Sequence, residues 1–263
     1  MAALALGGSV ATLGLVLCAA FCAGFVDAIV GGGGLIQVPS LLAAYPATAP
    51  PLLLGTNKLG SICGTAGAVM RYLRVVRIPW RIILPAAAAA FVAALVGASL
   101  VSAVSPAVFR PLVPLMLAIV LAYVLRHGDL GARHAPIAFS RRRTALALAA
   151  IGGIGIYDGF FGPGAGSFLM LLFIRFYGFD FLHAAAAARS VNVATNAGAL
   201  LFFGLHGDVH WALGIALGAC NAAGSVIGAH TALKHGSRFV RAAFIAIVIA
   251  LICKTAVDAY AHR

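Results

Sequence analysis

The chain has no glutamate. Six aspartates are its whole acidic complement, charged residues make up 9%, and two tryptophans occur in 263 residues. A soluble domain of this size carries far more charge on its surface, so a soluble globular fold is excluded. So few carboxylates also argue against a metal cation as solute, which would call for several inward acidic or thiolate ligands. The five cysteines, Cys18, Cys22, Cys63, Cys220 and Cys253, include no Cys-x-x-Cys pair and no companion histidine at zinc-finger spacing, and are read as small buried hydrophobes. His183, His206 and His210 lack the spacing and the carboxylate companions of a metal site. No Ser/His/Asp set and no His-Glu-x-x-His occurs, and no glycine cluster is followed by Gly-Lys-Ser/Thr. No enzyme activity, metal or cofactor is therefore expected.

What is present is apolar: 63% of residues are hydrophobic and the mean hydropathy is +1.06. Runs of about 20 residues suit helices that cross roughly 30 Å of hydrocarbon, and the alternating ten-residue strands of a barrel are missing. The expectation is an all-α polytopic membrane protein of about 8–10 membrane segments. Apolar runs and breakers place them at 4–30, 34–54, 56–74, 79–103 and 106–125, then at 144–161, 165–182, 184–204, 210–233 and 239–260. The second of each set starts at a glycine cluster and reads as short or re-entrant. The first thirty residues carry no lysine or arginine, which favours a first membrane segment over a cleaved leader.

The chain also repeats itself at an offset of 131 residues. That offset pairs Asp27 with Asp158, Lys58 with Arg189, Gly67 with Gly198, Trp80 with Trp211 and Gly97 with Gly228. The domain reading is a first membrane repeat at 1–125, a basic cytoplasmic linker at 126–143 and a second repeat at 144–263. Arginines at 71, 74, 77 and 81 fill a loop whose counterpart at 206–208 has none, whereas Lys234, Arg238 and Arg241 fill the next loop of the second half. Basic loops face the cytoplasm, so this alternation predicts an inverted repeat. The loops also account for most of the net charge of +12 without nucleic acid as a partner. Trp80 and Trp211 open the fourth segment of each half as interfacial anchors.

Candidate site residues follow from what is costly inside a membrane. Gly31, Gly32, Gly33 and Gly34, and Gly162, Gly164 and Gly166 with Ser167, break apolar segments, free backbone groups and expose the N-terminus of a restarting helix to an anion. The same glycines could instead serve close helix packing. Lys58 and Arg189 are the most deeply placed cations, flanked by the donors Thr56, Asn57, Ser190 and Asn192, with Asn196 a turn further on. They could bind an anion or snorkel to the headgroups. Asp27 and Asp158 either pair with a cation, cap a broken helix or carry proton coupling. Thr195 and Asn221 are expected to face the bundle interior.

At these residues the chain resembles the sulfite exporter TauE/SafE family, in its YfcA-like branch. Gly155-Ile156-Tyr157-Asp158-Gly159-Phe160-Phe161-Gly162-Pro163-Gly164-Ala165-Gly166-Ser167 carries the likeness most specifically. Gly31 to Pro39, Gly55-Thr56-Asn57-Lys58 and Asn192 to Trp211 support it. The resemblance implies a bacterial inner-membrane transporter of two homologous halves for sulfite, a sulfonate or another organosulfur anion. Ala165 stands where the family often carries a hydroxyl. The partners implied are a small anionic solute, the bilayer and at most a second copy of the chain in a homodimer. The competing class is a membrane subunit that acts with partner proteins and moves no solute.

Overall fold

A computed structural model describes residues 9–101 and 140–261, with 122, 125, 126, 134, 135 and 137 between them. Within the described residues every regular element is helical, in agreement with the all-α expectation. The helices are α1 (Val10–Val30), α2 (Gly34–Ala44), α3 (Pro50–Tyr72), α4 (Trp80–Ser99), α5 (Arg141–Phe160), α6 (Ala165–Tyr177), α7 (Phe181–Leu205) and α8 (Trp211–Ala261). The expected segment at 106–125 and most of the 126–143 linker lie outside the described residues.

Local chemistry sets the ends. Ser9 caps α1 by accepting from Thr12 N, and Asp180 caps α7 by accepting from His183 N. Gly178, left-handed at φ 71°, closes α6 and ends it well short of the expected residue 182. Gly236 breaks α8 at φ 76°, ψ −175°. One boundary moves for a physical reason. The sequence expectation ran a segment through 34–54, but α2 stops at Ala44 and α3 starts at Pro50. Pro50 and Pro51 occupy the first helical turn, where a missing N–H and a fixed φ help a helix begin.

Length separates two kinds of helix. At 1.5 Å per residue α1 is about 31 Å long, whereas α2 with 11 residues and α6 with 13 reach only about 16 and 20 Å, too short to cross the hydrocarbon alone. Among the described residues α1, α4 and α8 through Ala250 are long and apolar enough to span by themselves. Helices α3 and α7 have the length but carry the polar residues of the centre. Leu15, Leu84, Val92 and Ile215 are more than half exposed, an apolar surface that a bilayer covers. Cys18, Cys22 and Cys253, expected to be buried, are exposed on that same surface. Trp80 and Trp211 are also exposed, at the first residues of α4 and α8.

The halves interlock. Helix α4 packs against α5 and α7, and α8 packs against α1 and α3. Thus the fourth helix of each half lies against the first and third helices of the other half. Glycines make this approach possible at matching places: a Cβ on Gly97 would stand 2.0 Å from Ile156 O, and one on Gly228 would stand 2.4 Å from Phe25 O. These two contacts are related by the 131-residue offset with the halves exchanged.

A side chain at either position must therefore push two backbones apart. Gly97→Val and Gly228→Val are expected to abolish the monodisperse folded peak in size-exclusion chromatography. Gly153→Ala, in α5 with nothing within 4 Å of its would-be Cβ, should be neutral or raise thermal stability by up to about 1 kcal/mol.

Candidate functional site

The two helix breaks meet at the centre. Helix α1 ends on Gly31 at φ 87°, and α2 restarts three residues later; α5 ends at Phe160, and α6 restarts beyond Gly162 and Gly164 at φ 94° and 84°. A Cβ on Gly31 would lie 2.3 Å from Gly166 C, and one on Gly34 would lie 3.1 Å from Pro163 Cα. No side chain fits between these turns, and the positive φ values are ones that glycine alone adopts readily. Tyr157 Oη donates to Pro163 O at 2.5 Å and Ser167 Oγ donates to Val30 O at 2.7 Å, so each break is tied across a turn or across the halves.

Four charges surround this crossing and pair across the halves. Lys58 Nζ of α3 lies 2.8 Å from Asp158 Oδ1 of α5 and also donates to the Asp158 main-chain carbonyl. Arg189 Nη1 of α7 lies 3.1 Å from Asp27 Oδ2 of α1. Both cations are buried, Arg189 completely, so neither snorkels to the headgroups. The 131-residue offset converts one pair into the other.

The two pairs are not equally satisfied. Asp158 also accepts from Asn192 Nδ2 at 2.7 Å and from the Thr195 hydroxyl, and its side chain is 4% exposed. Asp27 accepts otherwise only from Gly33 N at 3.2 Å and is 16% exposed. Arg189 Nε and Nη2 are buried and find no partner among the described residues. Unmade bonds on a buried guanidinium are costly, and such groups call for an explanation.

Beside these charges lies a cavity of about 30 Å³, lined by both aspartates, Lys58, the turn glycines and the amides Asn57, Asn192, Asn196 and Asn221. That is space for a water or two. The first-turn residues of α2 and α6, Gly34 and Gly166, reach it, so two helix N-termini with partial positive charge face one small polar space.

Of the sequence candidates, Gly31, Gly33, Gly34, Asn57, Lys58, Gly162, Gly166, Asn192, Asn196, Asp27 and Asp158 line the cavity. Arg189 adjoins it through Asp27. Gly32 and Gly164 belong to the turns but do not line it. Thr56, Ser167 and Ser190 are turned away: Thr56 Oγ1 donates to Leu52 O and accepts from His210 N, while Ser190 Oγ donates to Ala186 O. Ser61 and Thr65, one and two turns beyond Lys58, were missed and line it. Asn221, expected to face the interior in service of packing or of the solute path, lines it too. Its Nδ2 donates to Gln37 Oε1 at 2.6 Å, joining α8 to the short helix α2.

The family model for the sulfite exporter TauE/SafE matches residues 16–255. The chain is 35% identical over 252 residues to a probable membrane transporter protein of Sinorhizobium sp., covering 94% of this chain and 93% of the relative. It is 34% identical over 253 residues to the probable membrane transporter protein YfcA of Escherichia coli K12, covering 95% and 92%. A probable membrane transporter protein of Haemophilus influenzae is 30% identical over 246 residues, covering 94% and 95%. No solved structure matches the chain.

Removing one partner of a buried pair strands the other charge, at a cost of about 3–5 kcal/mol. Asp158→Ala is expected to lower thermal stability more than Asp27→Ala, because it orphans Lys58, Asn192 and Thr195 together. The double variant Lys58→Met/Asp158→Leu should recover part of that loss. Denaturant or thermal unfolding in detergent measures both.

Proposed function

The chain belongs to the sulfite exporter TauE/SafE family and is a multi-pass inner-membrane transporter, and we propose that it moves a small oxyanion, sulfite or a sulfonate, by alternating access through the crossing of its two helix breaks. The observation that carries this reading is the buried Arg189 guanidinium. It sits against the glycine turns with two nitrogens unpartnered and a rather exposed carboxylate on its third. Arginine presents its donors in a planar fork that matches an oxyanion, and each charge-assisted bond is worth about 1.5–3 kcal/mol.

In the conformation described, the four charges cancel and the cavity is too small for a sulfonate. An arriving anion gains Arg189 by displacing Asp27, the less satisfied of the two carboxylates. The N-termini of α2 and α6 add their partial charges on either side. Asp158 keeps its pairing with Lys58, Asn192 and Thr195 and acts as the fixed half of the centre. Asp27, once displaced, is the group placed to take up a proton and couple the cycle to it. The exchanged contacts of the two halves support a two-fold relation between them, and the loop charges support an axis in the membrane plane. Rocking of one half on the other then opens the centre to each side in turn.

Flux of labelled sulfite into proteoliposomes tests the reading. Arg189→Lys keeps the charge but loses the fork, and should lower transport efficiency by roughly tenfold or more, the scale of one lost charge-assisted bond. Asp27→Asn should still bind the anion but lose the response to an imposed pH gradient. Unchanged flux in folded Arg189→Lys and Lys58→Ala proteins would overturn the anion site. No flux from the purified protein, with a partner protein that always co-purifies, would favour the non-transporting subunit. Reporter fusions at 71–81 and 206–210 should report opposite sides of the membrane.

A further inference from the structure

Outside the charged cavity, at the N-terminus of α7, His134, Asp180 and His183 converge where the segment before α5 meets the α6–α7 turn. One ligand atom of each lies within 4.8 Å of the others. Backbone bonds deliver His134 to this place: Ala135 N donates to Gly178 O at 3.0 Å and Ile137 N donates to Tyr177 O at 3.1 Å. The His134 and His183 rings stack with centroids 3.8 Å apart. Asp180 Oδ1 lies 2.8 Å from His183 Nδ1 and accepts from His183 N at 2.7 Å. Ser237, directly after the Gly236 break in α8, accepts from Leu182 N at 3.2 Å.

Helix capping explains Asp180 and accounts for the neighbouring His183. It does not explain a second imidazole brought from another segment and laid face to face with the first. Burial, and then the neighbouring His183, hold His134 below the usual histidine range, against a smaller upward pull from Asp180. At Asp180 burial acts upward, but the bonds from His183 outweigh it and keep the carboxyl below its ordinary value. Neutral imidazole and ionised carboxylate are the forms a metal takes as ligands.

We propose that His134, Asp180 and His183 form a surface site for one divalent transition-metal ion of the zinc type, with water completing its shell. Two imidazole nitrogens and one carboxylate oxygen suit Zn²⁺, Co²⁺ or Ni²⁺, whereas Ca²⁺ and Mg²⁺ require more oxygen ligands than this cluster has. A tetrahedral zinc with bonds of about 2.0–2.1 Å holds its ligand atoms about 3.4 Å apart, so the ion must open the 2.8 Å His183 Nδ1–Asp180 Oδ1 contact slightly and draw in the exposed His134 side chain. The backbone N–H of His183 donates to Asp180 Oδ1 and orients the carboxylate. The bound ion fastens the segment before α5 to the entry of α7, the helix that carries Arg189, beside the α8 break. The expectation of no metal site rested on His183 lacking a carboxylate companion, and Asp180, three residues earlier, is that companion.

Co²⁺ titration of the full chain, purified without a polyhistidine tag and followed by visible absorption with Zn²⁺ competition, tests the site. One equivalent of Co²⁺ should bind with the bands of a low-coordinate ion, and Zn²⁺ should displace it. His134→Ala and His183→Ala should each weaken binding by about tenfold or more, at least what a lost outer-shell partner costs. Zn²⁺ should also slow amide exchange at Ala135 and Ile137 in the unsubstituted protein alone. The proposal is overturned if no stoichiometric uptake occurs or if His134→Ala binds as well as the parent. It is equally overturned if uptake disappears when the five cysteines are replaced by serine with the histidines intact. His134 is exposed and caps no helix, so its variant remains informative should His183→Ala fail to fold.

Discussion

Two buried cations, each held by an aspartate of the other half, are the constraint on which the centre depends. A buried charge is tolerated only with a partner and further hydrogen bonds. Neither Lys58 nor Arg189 has an acidic partner within its own half of the chain; Asp158 and Asp27 are supplied from across the crossing. Interlocking of the halves is therefore a condition of burying these cations at all. The glycine turns follow from the same requirement. Lys58 Nζ lies 3.0 Å from where a Cβ on Gly162 would be, and Arg189 Nη2 lies 2.6 Å from where one on Gly31 would be. Each cation reaches its aspartate only because the intervening turn carries no side chain.

The short helices are a consequence too. Once α1 and α5 break at the crossing, α2 and α6 restart there with their first turns facing the charged space. Backbone groups freed by the breaks are tolerated against a polar cavity, where hydrocarbon would not satisfy them. The polar character of α3 and α7, which keeps them from reading as membrane spans on hydropathy, has the same origin. These two helices carry Lys58, Thr65, Arg189, Asn192 and Thr195, and bury them against the crossing.

Much of this was legible in the sequence, and the part that was not has definite physical reasons. Rare residues at one offset singled out Asp27, Asp158, Lys58 and Arg189, and scarcity of charge made each worth explaining. The offset states which residues correspond, not which ones touch, so the crossed pairing needed coordinates. Thr56 and Ser190 stand directly beside residues of the charged centre in sequence, yet a step of one residue turns a helical side chain by about 100°, away from the cavity. Asn221 was expected to face the interior, but the sequence left packing and the solute path equally open for it. Its counterpart at the same offset is Ala90, so the repeat that singled out the charged residues could not decide between them. Pro50 and Pro51 fell inside the expected 34–54 segment, yet proline both ends and starts helices, and only the position within the turn distinguishes the two.

The two stretches related by the 131-residue offset carry corresponding parts, but these parts differ in a way that bears on the proposed cycle. Asp158 is held by a lysine, an amide and a hydroxyl, and the short helix beside it, α6, buries ten of its 13 residues. Asp27 is held by one guanidinium and one backbone N–H, and α2 buries four of its 11. An anion competes best where the existing carboxylate is least satisfied, and a helix moves most easily where it has least packing to give up. For the proposed cycle, both arguments favour the first half as the moving, binding side and the second as the frame. A two-fold device with identical halves would have no reason to open one side before the other; the unequal satisfaction of two corresponding aspartates supplies that reason, and places it at the residue best situated to exchange a carboxylate for a transported oxyanion.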